Sequence, residues 1–342
     1  MASSDPSLSA GAAGDGAGRE RIFVFNGDAD GLVGQHILGL ELGPPDLRVT
    51  GRKRDIELLR KLPPRDRADV RVLDISLARN LDALPALLAR SNLQITWYDH
   101  HDPGSPPAHA GLALHINQAP ETCTAAIVNS VHGLKHPLWA AMAAFGDNLP
   151  ATASALASTG GASAHEAALL RRVGVLLNYN AYGEEPGDVL FEPADLAARL
   201  APFRDAFGFC REESILGPLA AQFESDRERF QELKPLAAAP GAGAFLVPDE
   251  PFARRYGATW ANERALQEPG RALAVIHPNR DGTYLVSIRA PRQGNGAPAR
   301  PASDLAKEFP TGGGRRLAAG INALPADLLD AFLARFSVFF AD

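Results

Sequence analysis

Short apolar runs alternate with helix-like segments over the first 130 or so residues of the chain. Each run is followed by apolar residues at the three- and four-residue spacing of an amphipathic helix. Strand, helix and strand at this spacing are typical of parallel pairing, which brings the carboxyl ends of the strands to one edge. The pattern predicts an α/β domain with a mostly parallel five-stranded sheet flanked by helices, whose strands are residues 22–25, 47–50, 70–73, 93–97 and 112–116.

Acidic and imidazole side chains lie where three of these strands end, and one more acid follows a predicted helix at residues 136–145. Because carboxyl ends of parallel strands share one edge, these side chains are expected to lie close together. Carboxylates gathered in a partly dry cleft repel one another, and divalent cations relieve that repulsion. Oxygen and imidazole ligands suit manganese or magnesium better than a metal that prefers thiolates. The candidate residues, in chain order, are Asp28, Asp30, Asp74, Asp99, His100, His101 and Asp147.

Simpler interpretations stay open for the separate motifs. Asp28 and Asp30 also fit a glycine-rich turn in which Asp30 caps a helix. Asp147 also fits the polar turn between Gly146 and Pro150, where a helix ends. The recurrence of acids at successive strand ends is what favours one shared site.

The rest of the chain has a different pattern. Residues 151–239 are Ala-rich and helical in period, and the Ala- and Gly-rich stretch 237–244 is typical of a linker. Beyond it, apolar runs at 245–247, 272–276 and 284–288 alternate with helical segments. This part predicts a smaller C-terminal α/β domain.

Three consecutive glycines, Gly312, Gly313 and Gly314, precede Arg315 and Arg316. Backbone N–H groups of successive glycines can close around an anion, and an arginine can add a bidentate contact. We therefore expect these residues to bind an anionic substrate, with a flexible surface loop as the alternative.

Composition narrows the class of protein. The chain has 342 residues, of which 46% are hydrophobic and 22% charged, as in ordinary globular proteins. Its apolar runs fall short of the ~20 residues of a membrane span, and residues 1–20 predict a disordered tail rather than a signal peptide. Cys123 and Cys210 are too few for a disulfide framework or a thiolate zinc site, so a cytoplasmic location is expected and any metal would be held by Asp and His. The net charge of −6 argues against a protein that coats long nucleic acid.

In the order of these motifs the chain resembles the DHH phosphoesterase superfamily, which includes RecJ-type exonucleases, nanoRNases and phosphodiesterases for oligonucleotides or cyclic dinucleotides. The resemblance rests on Gly27-Asp28-Ala29-Asp30-Gly31, then Asp74, then Asp99-His100-His101, then Asp147. The triple-glycine segment 312–320 resembles the C-terminal DHHA1 domain of the family. After the tail at 1–20, the resemblance implies a DHH metal-binding catalytic domain at 21–150, a helical connector at 151–239 and a DHHA1-like substrate-binding domain at 240–342.

The resemblance also implies which residues hold metal. Asp74 would bridge two Mn²⁺ or Mg²⁺ ions. Asp30, His100 and Asp147 would complete one site, and Asp28 would serve the other.

His101 would face the substrate phosphate or the nucleophile, and Asp99 would orient the two imidazoles from behind the metals. Two positions depart from the family pattern. Asn26 stands where the family has an acidic residue or His, which weakens the expected ion at Asp28. Arg315 stands where many members have His after the three glycines, and this leaves the substrate class open.

Together these features predict a divalent-metal-dependent phosphodiesterase that hydrolyses short oligonucleotides or small nucleotides with a metal-activated water. Two other functions stay open: a non-catalytic nucleotide- or nucleic-acid-binding protein with a degenerate metal site, and a polyphosphatase or pyrophosphatase. No membrane partner is expected. The sequence leaves the oligomeric state open, a homodimer included.

Overall fold

The structure, a computed structural model, describes residues 8–10, 19–65, 67–90, 92–183, 185–292, 294, 296–298 and 300–341. The chain divides into two compact units, Met1–Ala220 and Ala221–Asp342, each built on a six-stranded sheet. Most of the tail expected at residues 1–20 lies outside the described residues, and Leu8–Ala10 within it is a short strand. No helix in the described ranges has both the length and the apolar character needed to cross a membrane.

The first sheet contains the five parallel strands expected from the sequence, so the predicted parallel sheet is confirmed. A further strand, Leu8–Ala10, pairs antiparallel with Leu47–Gly51 at one edge. The strands run in the order β1-β3-β2-β4-β5-β6 and comprise β1 (Leu8–Ala10), β2 (Glu20–Asn26), β3 (Leu47–Gly51), β4 (Ala68–Leu73), β5 (Leu93–Asp99) and β6 (Leu112–Ile116).

Helices cover this sheet because its strands are apolar on both faces. Ile22 and Val24 belong to a core with Leu84 on one side of the sheet. Phe23, which alternates with them, faces the helix that follows β2 on the other side. The helices are α1 (Ala29–Leu42), α2 (Leu84–Leu88), α3 (Thr124–Val131), α4 (Pro137–Gly146), α5 (Pro150–Thr159), α6 (Ala164–Ala181), α7 (Pro193–Leu200) and α8 (Ala206–Glu212), with 3₁₀ turns at Leu58–Lys61, Leu77–Arg79 and Pro186–Asp188.

The register of the sheet brings three strand ends to the same level. Phe25 of β2 lies opposite Leu73 of β4, which lies opposite Tyr98 of β5. The residues just beyond them, including Asp74 and Asp99, are therefore neighbours at one edge. The chain passes from β2 to β3 on one side and later to β4 on the other, so the ends of β2 and β4 flank the switch point where open α/β sheets bind ligands.

The second unit contains a mixed sheet in the order β11-β12-β10-β9-β8-β7, in which β8 and β9 are parallel and the other neighbours antiparallel. Helix α9 (Leu216–Gln231) contains the boundary between the units. The other elements are β7 (Ala237–Ala239), β8 (Ala242–Leu246), α10 (Pro251–Gln267), β9 (Ala272–Pro278), β10 (Tyr284–Arg289), α11 (Ala302–Ala306), β11 (Gly312–Gly314), β12 (Ala318–Leu324), a 3₁₀ turn at Ala326–Leu328 and α12 (Leu329–Phe339).

The stretch 237–244 is not the linker that its composition predicts. It forms the antiparallel hairpin of β7 and β8. Ala242 and Ala244 are buried in the same core as Phe336 of α12, where small side chains allow close packing. Alanine and glycine here serve close packing, and the helices α5 to α8 of the expected connector belong to the first unit.

Candidate metal centre

The turn between β2 and α1 fixes Asp28 by local hydrogen bonds. Asp28 caps α1, and its Oδ1 accepts hydrogen bonds from the N–H groups of Asp30 and Gly31, both at 3.1 Å. The N–H of Asp28 donates to Asn26 Oδ1 at 3.2 Å. Gly31 leaves no room for a side chain, since a Cβ there would lie 2.1 Å from the carbonyl oxygen of Asn26. The helix cap is therefore Asp28 and not Asp30, and Asp30 is available for other contacts.

Asp30 is fully buried against the first turn of α3. Its Oδ2 accepts the N–H of Thr124 at 2.6 Å, and its Oδ1 accepts the N–H of Ala125 at 2.8 Å. The positive end of α3 stabilises a carboxylate here. Each oxygen retains a lone pair after these bonds.

Asp74 follows β4 in the left-handed backbone region, at φ 56°. This conformation is costly for a non-glycine residue and is held by the N–H of Asp74, which donates to the carbonyl of Tyr98 at 3.0 Å. The hydroxyl of Thr124 donates to Asp74 Oδ1 at 3.3 Å. Burial raises the pKa of Asp74 well above its ordinary value, and the charge of Asp28 and other nearby carboxylates raises it further.

His100 presents a nitrogen lone pair to two carboxylates. Its Nδ1–H donates to the carbonyl oxygen of Thr122 at 2.9 Å, which leaves Nε2 of the neutral ring without a proton. Nε2 lies 3.5 Å from Asp74 Oδ1 and 3.8 Å from Asp147 Oδ2. With both carboxyl groups ionised and the ring neutral, three acceptors face one another, an arrangement that a cation completes.

Asp147 follows the last residue of α4 and is mostly buried. Burial raises its pKa to about 6, and the charge of Asp30 contributes. Potential ligand atoms of Asp30, His100 and Asp147 all lie within 4.8 Å of one another, as do those of Asp74, Asp99, His100 and His101. The edge of the sheet therefore brings together six of the seven acids and imidazoles singled out in the sequence.

Asp99 and His101 form a pair beside this cluster. Asp99 is fully buried, and its Oδ1 accepts a hydrogen bond from His101 Nδ1 at 2.7 Å and from the N–H of His100 at 2.8 Å. Asp99 Oδ2 has no hydrogen-bond partner within the described part of the chain. Although burial favours the neutral ring, the hydrogen bond and charge of Asp99 raise the pKa of His101. The His101 side chain is 48% exposed, so its Nε2 is open to a ligand.

The seventh residue, Asp28, has a partner that the sequence did not reveal. Lys53 Nζ donates to Asp28 Oδ2 at 2.5 Å. Although burial favours the neutral acid, the charge of Lys53 lowers the pKa of Asp28 to about 2. Burial also favours the neutral amine of Lys53, but the charge of Asp28 holds the pKa of Lys53 well above its ordinary value. A signal was present in the sequence, since Lys53 follows the carboxyl end of β3 at the same edge of the sheet.

The expected anion-binding residues belong to the second unit. Gly312, Gly313 and Gly314 form the edge strand β11 rather than a loop, and Arg315 and Arg316 beside them are exposed. A Cβ on Gly312 would lie 1.7 Å from a carbonyl oxygen of α11, whereas Gly313 faces open space. The first glycine thus serves packing, and the second leaves the strand accessible.

The donor set of the first unit fits a divalent cation. Two ligands bound at right angles to an ion at ~2.1 Å lie ~3 Å apart, so gaps of 3.5 and 3.8 Å around His100 Nε2 need only a small contraction. Burial raises the pKa of the nearby Cys123 thiol well above its ordinary value, and the charges of Asp30 and Asp147 add to this. Burial thus favours the protonated thiol, and the remaining candidate ligand atoms are carboxylate oxygens and imidazole nitrogens.

The fold and this cluster define an α/β protein with a candidate site for a divalent metal. No protein-family model and no curated protein sequence matches the chain. Solved structures do match, and they show that the chain has the same fold as RecJ and as a DHH domain, the fold that the sequence motifs implied.

Three of these structures illustrate the likeness. A crystal structure of the exonuclease RecJ bound to manganese is 19% identical over 95% of this chain and 90% of that one, with a TM-score of 0.58. RecJ in complex with Mn²⁺ from Thermus thermophilus is 20% identical over 95% of this chain, with a TM-score of 0.59, and this chain covers 52% of its length. PggH, a pGpG-specific phosphodiesterase from Vibrio cholerae, is 12% identical over 94% of this chain and 100% of that one, with a TM-score of 0.52. The chain thus spans about half the length of the Thermus protein.

Proposed function

We propose that this chain is a divalent-metal-dependent phosphodiesterase that hydrolyses phosphodiester bonds of short oligonucleotides or small nucleotides. The observation that carries the proposal is the position of His100 Nε2, which faces Asp74 and Asp147 at 3.5 and 3.8 Å while Nδ1 is held by a backbone carbonyl. The fold shared with an exonuclease and with a pGpG phosphodiesterase supports phosphoester chemistry. Manganese in both RecJ structures supports Mn²⁺ as the metal, with Mg²⁺ as the natural substitute for the same ligands.

Asp30, His100 and Asp147, with Asp74 beside them, are the residues that would hold the ion. When bound, a divalent ion there supplies a hydroxide nucleophile near neutral pH and stabilises negative charge on the phosphate. The expectation of two ions requires a second one at Asp28, where the ammonium group of Lys53 lies.

His101 is suited to meet the substrate phosphate. Its Nδ1 is held by Asp99 at 2.7 Å, so the ring keeps one orientation and its exposed Nε2 points away from the carboxylate. A protonated ring, favoured by Asp99, can hold a phosphate oxygen or give its proton to the leaving alkoxide.

In the second unit, Gly313, Arg315 and Arg316 are the proposed contacts to substrate phosphates. Gly313 leaves backbone at the sheet edge open, and the two arginines are exposed. The net charge of −6 favours a short substrate over a long polyanion.

A substrate panel tests the proposal. The protein is incubated with Mn²⁺ and, separately, with di- to pentanucleotides of DNA and RNA, a cyclic dinucleotide, long single-stranded DNA, polyphosphate and pyrophosphate. We expect turnover of the short phosphodiesters and loss of at least ~100-fold in kcat for Asp147→Asn. Asp102→Asn is the matched control, because Asp102 is an exposed acid in the same loop as His101.

Other results would replace the proposal. Turnover confined to polyphosphate or pyrophosphate would make the chain a polyphosphatase or pyrophosphatase. Tight nucleotide binding without turnover would make it a non-catalytic binding protein. Turnover unchanged in Asp147→Asn would remove the proposed metal centre from the reaction.

A further inference from the structure

Several contacts hold the Lys53 side chain in place beside two of the expected metal ligands. Its Nζ lies 2.5 Å from Asp28 Oδ2 and 3.8 Å from Asp147 Oδ1. Asn178 Oδ1 lies 3.5 Å away, and the centre of the Tyr182 ring lies 5.3 Å away. Two carboxylates, an amide oxygen and an aromatic ring therefore surround this ammonium group much as ligands surround a cation.

The backbone of Lys53 is anchored as well. Its N–H donates to the carbonyl of Ala181 at 3.2 Å, and its carbonyl accepts from Asn26 Nδ2 at 3.4 Å. Asn26 Oδ1 at the same time accepts the N–H of Asp28. Asn26, which departs from the family pattern, thus ties the lysine to the acid that it neutralises.

Asp28 has little capacity left for another cation. Its Oδ1 already accepts two N–H groups, from Asp30 and Gly31, and its Oδ2 accepts Lys53. A divalent ion bound by Asp28 would have to displace Lys53 or lie beside its charge, and like charges at such distances repel strongly away from bulk water.

We propose that Lys53 takes the place of the second divalent ion, so that the centre binds a single ion between Asp30, His100 and Asp147. The fixed ammonium group supplies the remaining positive charge against Asp28. The inference rests on the proposed metal centre and deepens it: Lys53 is a positioning residue that neutralises Asp28 beside that centre.

Counting Mn²⁺ ions tests this without any substrate. Isothermal titration calorimetry gives the number of ions per chain, and electron paramagnetic resonance distinguishes an isolated Mn²⁺ from a coupled pair ~3.5–4 Å apart. We expect one ion per chain and the spectrum of an isolated ion. Two ions with a coupled spectrum in the unaltered protein overturn the inference, and this measurement needs no variant.

Variants of the lysine sharpen the test. Lys53→Met keeps a long apolar stem but removes the charge, so Asp28 becomes free to bind and the count should rise from one ion to two. Lys53→Arg, which keeps the charge, and Arg54→Met, which changes an exposed neighbour, should both stay at one. A folded Lys53→Met, checked by circular dichroism, that still binds one ion overturns the inference; Lys53→Gln serves in its place if the Met variant does not fold.

The outcome separates this inference from the proposed function. One bound ion with no hydrolysis of any phosphodiester overturns the function and leaves the assignment of Lys53 standing. Two coupled ions with hydrolysis overturn the assignment and leave the function standing. A chain that binds no Mn²⁺ overturns both.

Discussion

Acidification should weaken Mn²⁺ binding, because the proposed ligands must lose their protons before an ion can bind. Burial, with the charge of Asp30, raises the pKa of Asp147 from 3.8 to about 6. A carboxyl group with that pKa is protonated in ~10 of 11 molecules at pH 5 and in only a few per cent at pH 7.5. Proton competition at Asp147 alone should therefore lower the apparent affinity for Mn²⁺ ~10-fold between pH 7.5 and pH 5. The pKa of Asp74 is raised as well, so the total change should be larger.

The assay is calorimetric titration with Mn²⁺ at pH 7.5, 6.5 and 5.0, in two buffers of different ionisation enthalpy at each pH. The difference in heat between the buffers counts the protons released on binding, which should rise as pH falls towards 6. Asp147→Asn binds more weakly but should show a shallower dependence on pH, since one of its titrating ligands is gone. Asp102→Asn, which changes an exposed acid nearby, should keep the full dependence.

An affinity that changes less than ~3-fold between pH 7.5 and 5 would refute this reasoning, provided that circular dichroism shows a folded protein at both values. So would a pH dependence that is the same in Asp147→Asn and in the unaltered protein. Either result would mean that Asp147 does not bind the ion.

Three further predictions have defined outcomes. Asp74→Asn should raise the melting temperature of the metal-free protein by a few degrees and abolish Mn²⁺ binding. Burial raises the pKa of this carboxyl group, so its charged form opposes folding at pH 7. An unchanged or lower melting temperature in scanning calorimetry would contradict this prediction. Gly312→Ala should lower the free energy of unfolding in urea by ~2–4 kcal/mol, since its Cβ would lie 1.7 Å from a carbonyl oxygen. Gly313→Ala should leave stability unchanged and weaken substrate binding, because Gly313 faces open space. Equal losses of stability in the two variants would contradict this prediction. Arg255→Met should cost ~3–5 kcal/mol because it leaves buried Asp226 without its two guanidinium contacts at 2.8 and 3.1 Å, and Asp226→Asn in the same chain should restore part of the loss.

The parallel sheet and most of the candidate cluster could be predicted because their signals are local. Each strand is an apolar run with a polar residue directly after it, so Asp74 and Asp99 can be identified as candidates from their neighbours in sequence. Parallel pairing then brings such positions to one edge whatever the rest of the chain does, and the register of Leu73 opposite Tyr98 does so here. Hydrophobic periodicity and parallel topology are therefore enough to predict which strand-end residues lie together at the site.

The hairpin at 237–244 could not be predicted in the same way. Alanine and glycine lack side chains that carry a period, so the sequence there is as consistent with a linker as with a strand. The reason for small residues at Ala242 and Ala244 lies in the core that they share with Phe336 and other residues far along the chain. The secondary structure of a segment that depends on distant packing partners is poorly predicted from the sequence of that segment alone.

Lys53 shows the same limit within the site itself. Its neighbours Arg52 and Arg54 are also basic, and nothing local separates the lysine that turns inward from the arginines beside it. What separates them is α6, whose end supplies the carbonyl of Ala181 to the Lys53 N–H and whose Asn178 lies 125 residues further along the chain. Asn26 was equally ambiguous, since from sequence it is only a missing ligand. With Lys53 in place, Asn26 has a physical reason: an acid at position 26 would lose the amide that donates to the Lys53 carbonyl and would add charge beside Asp28. The amide of Asn26 instead holds both partners at once.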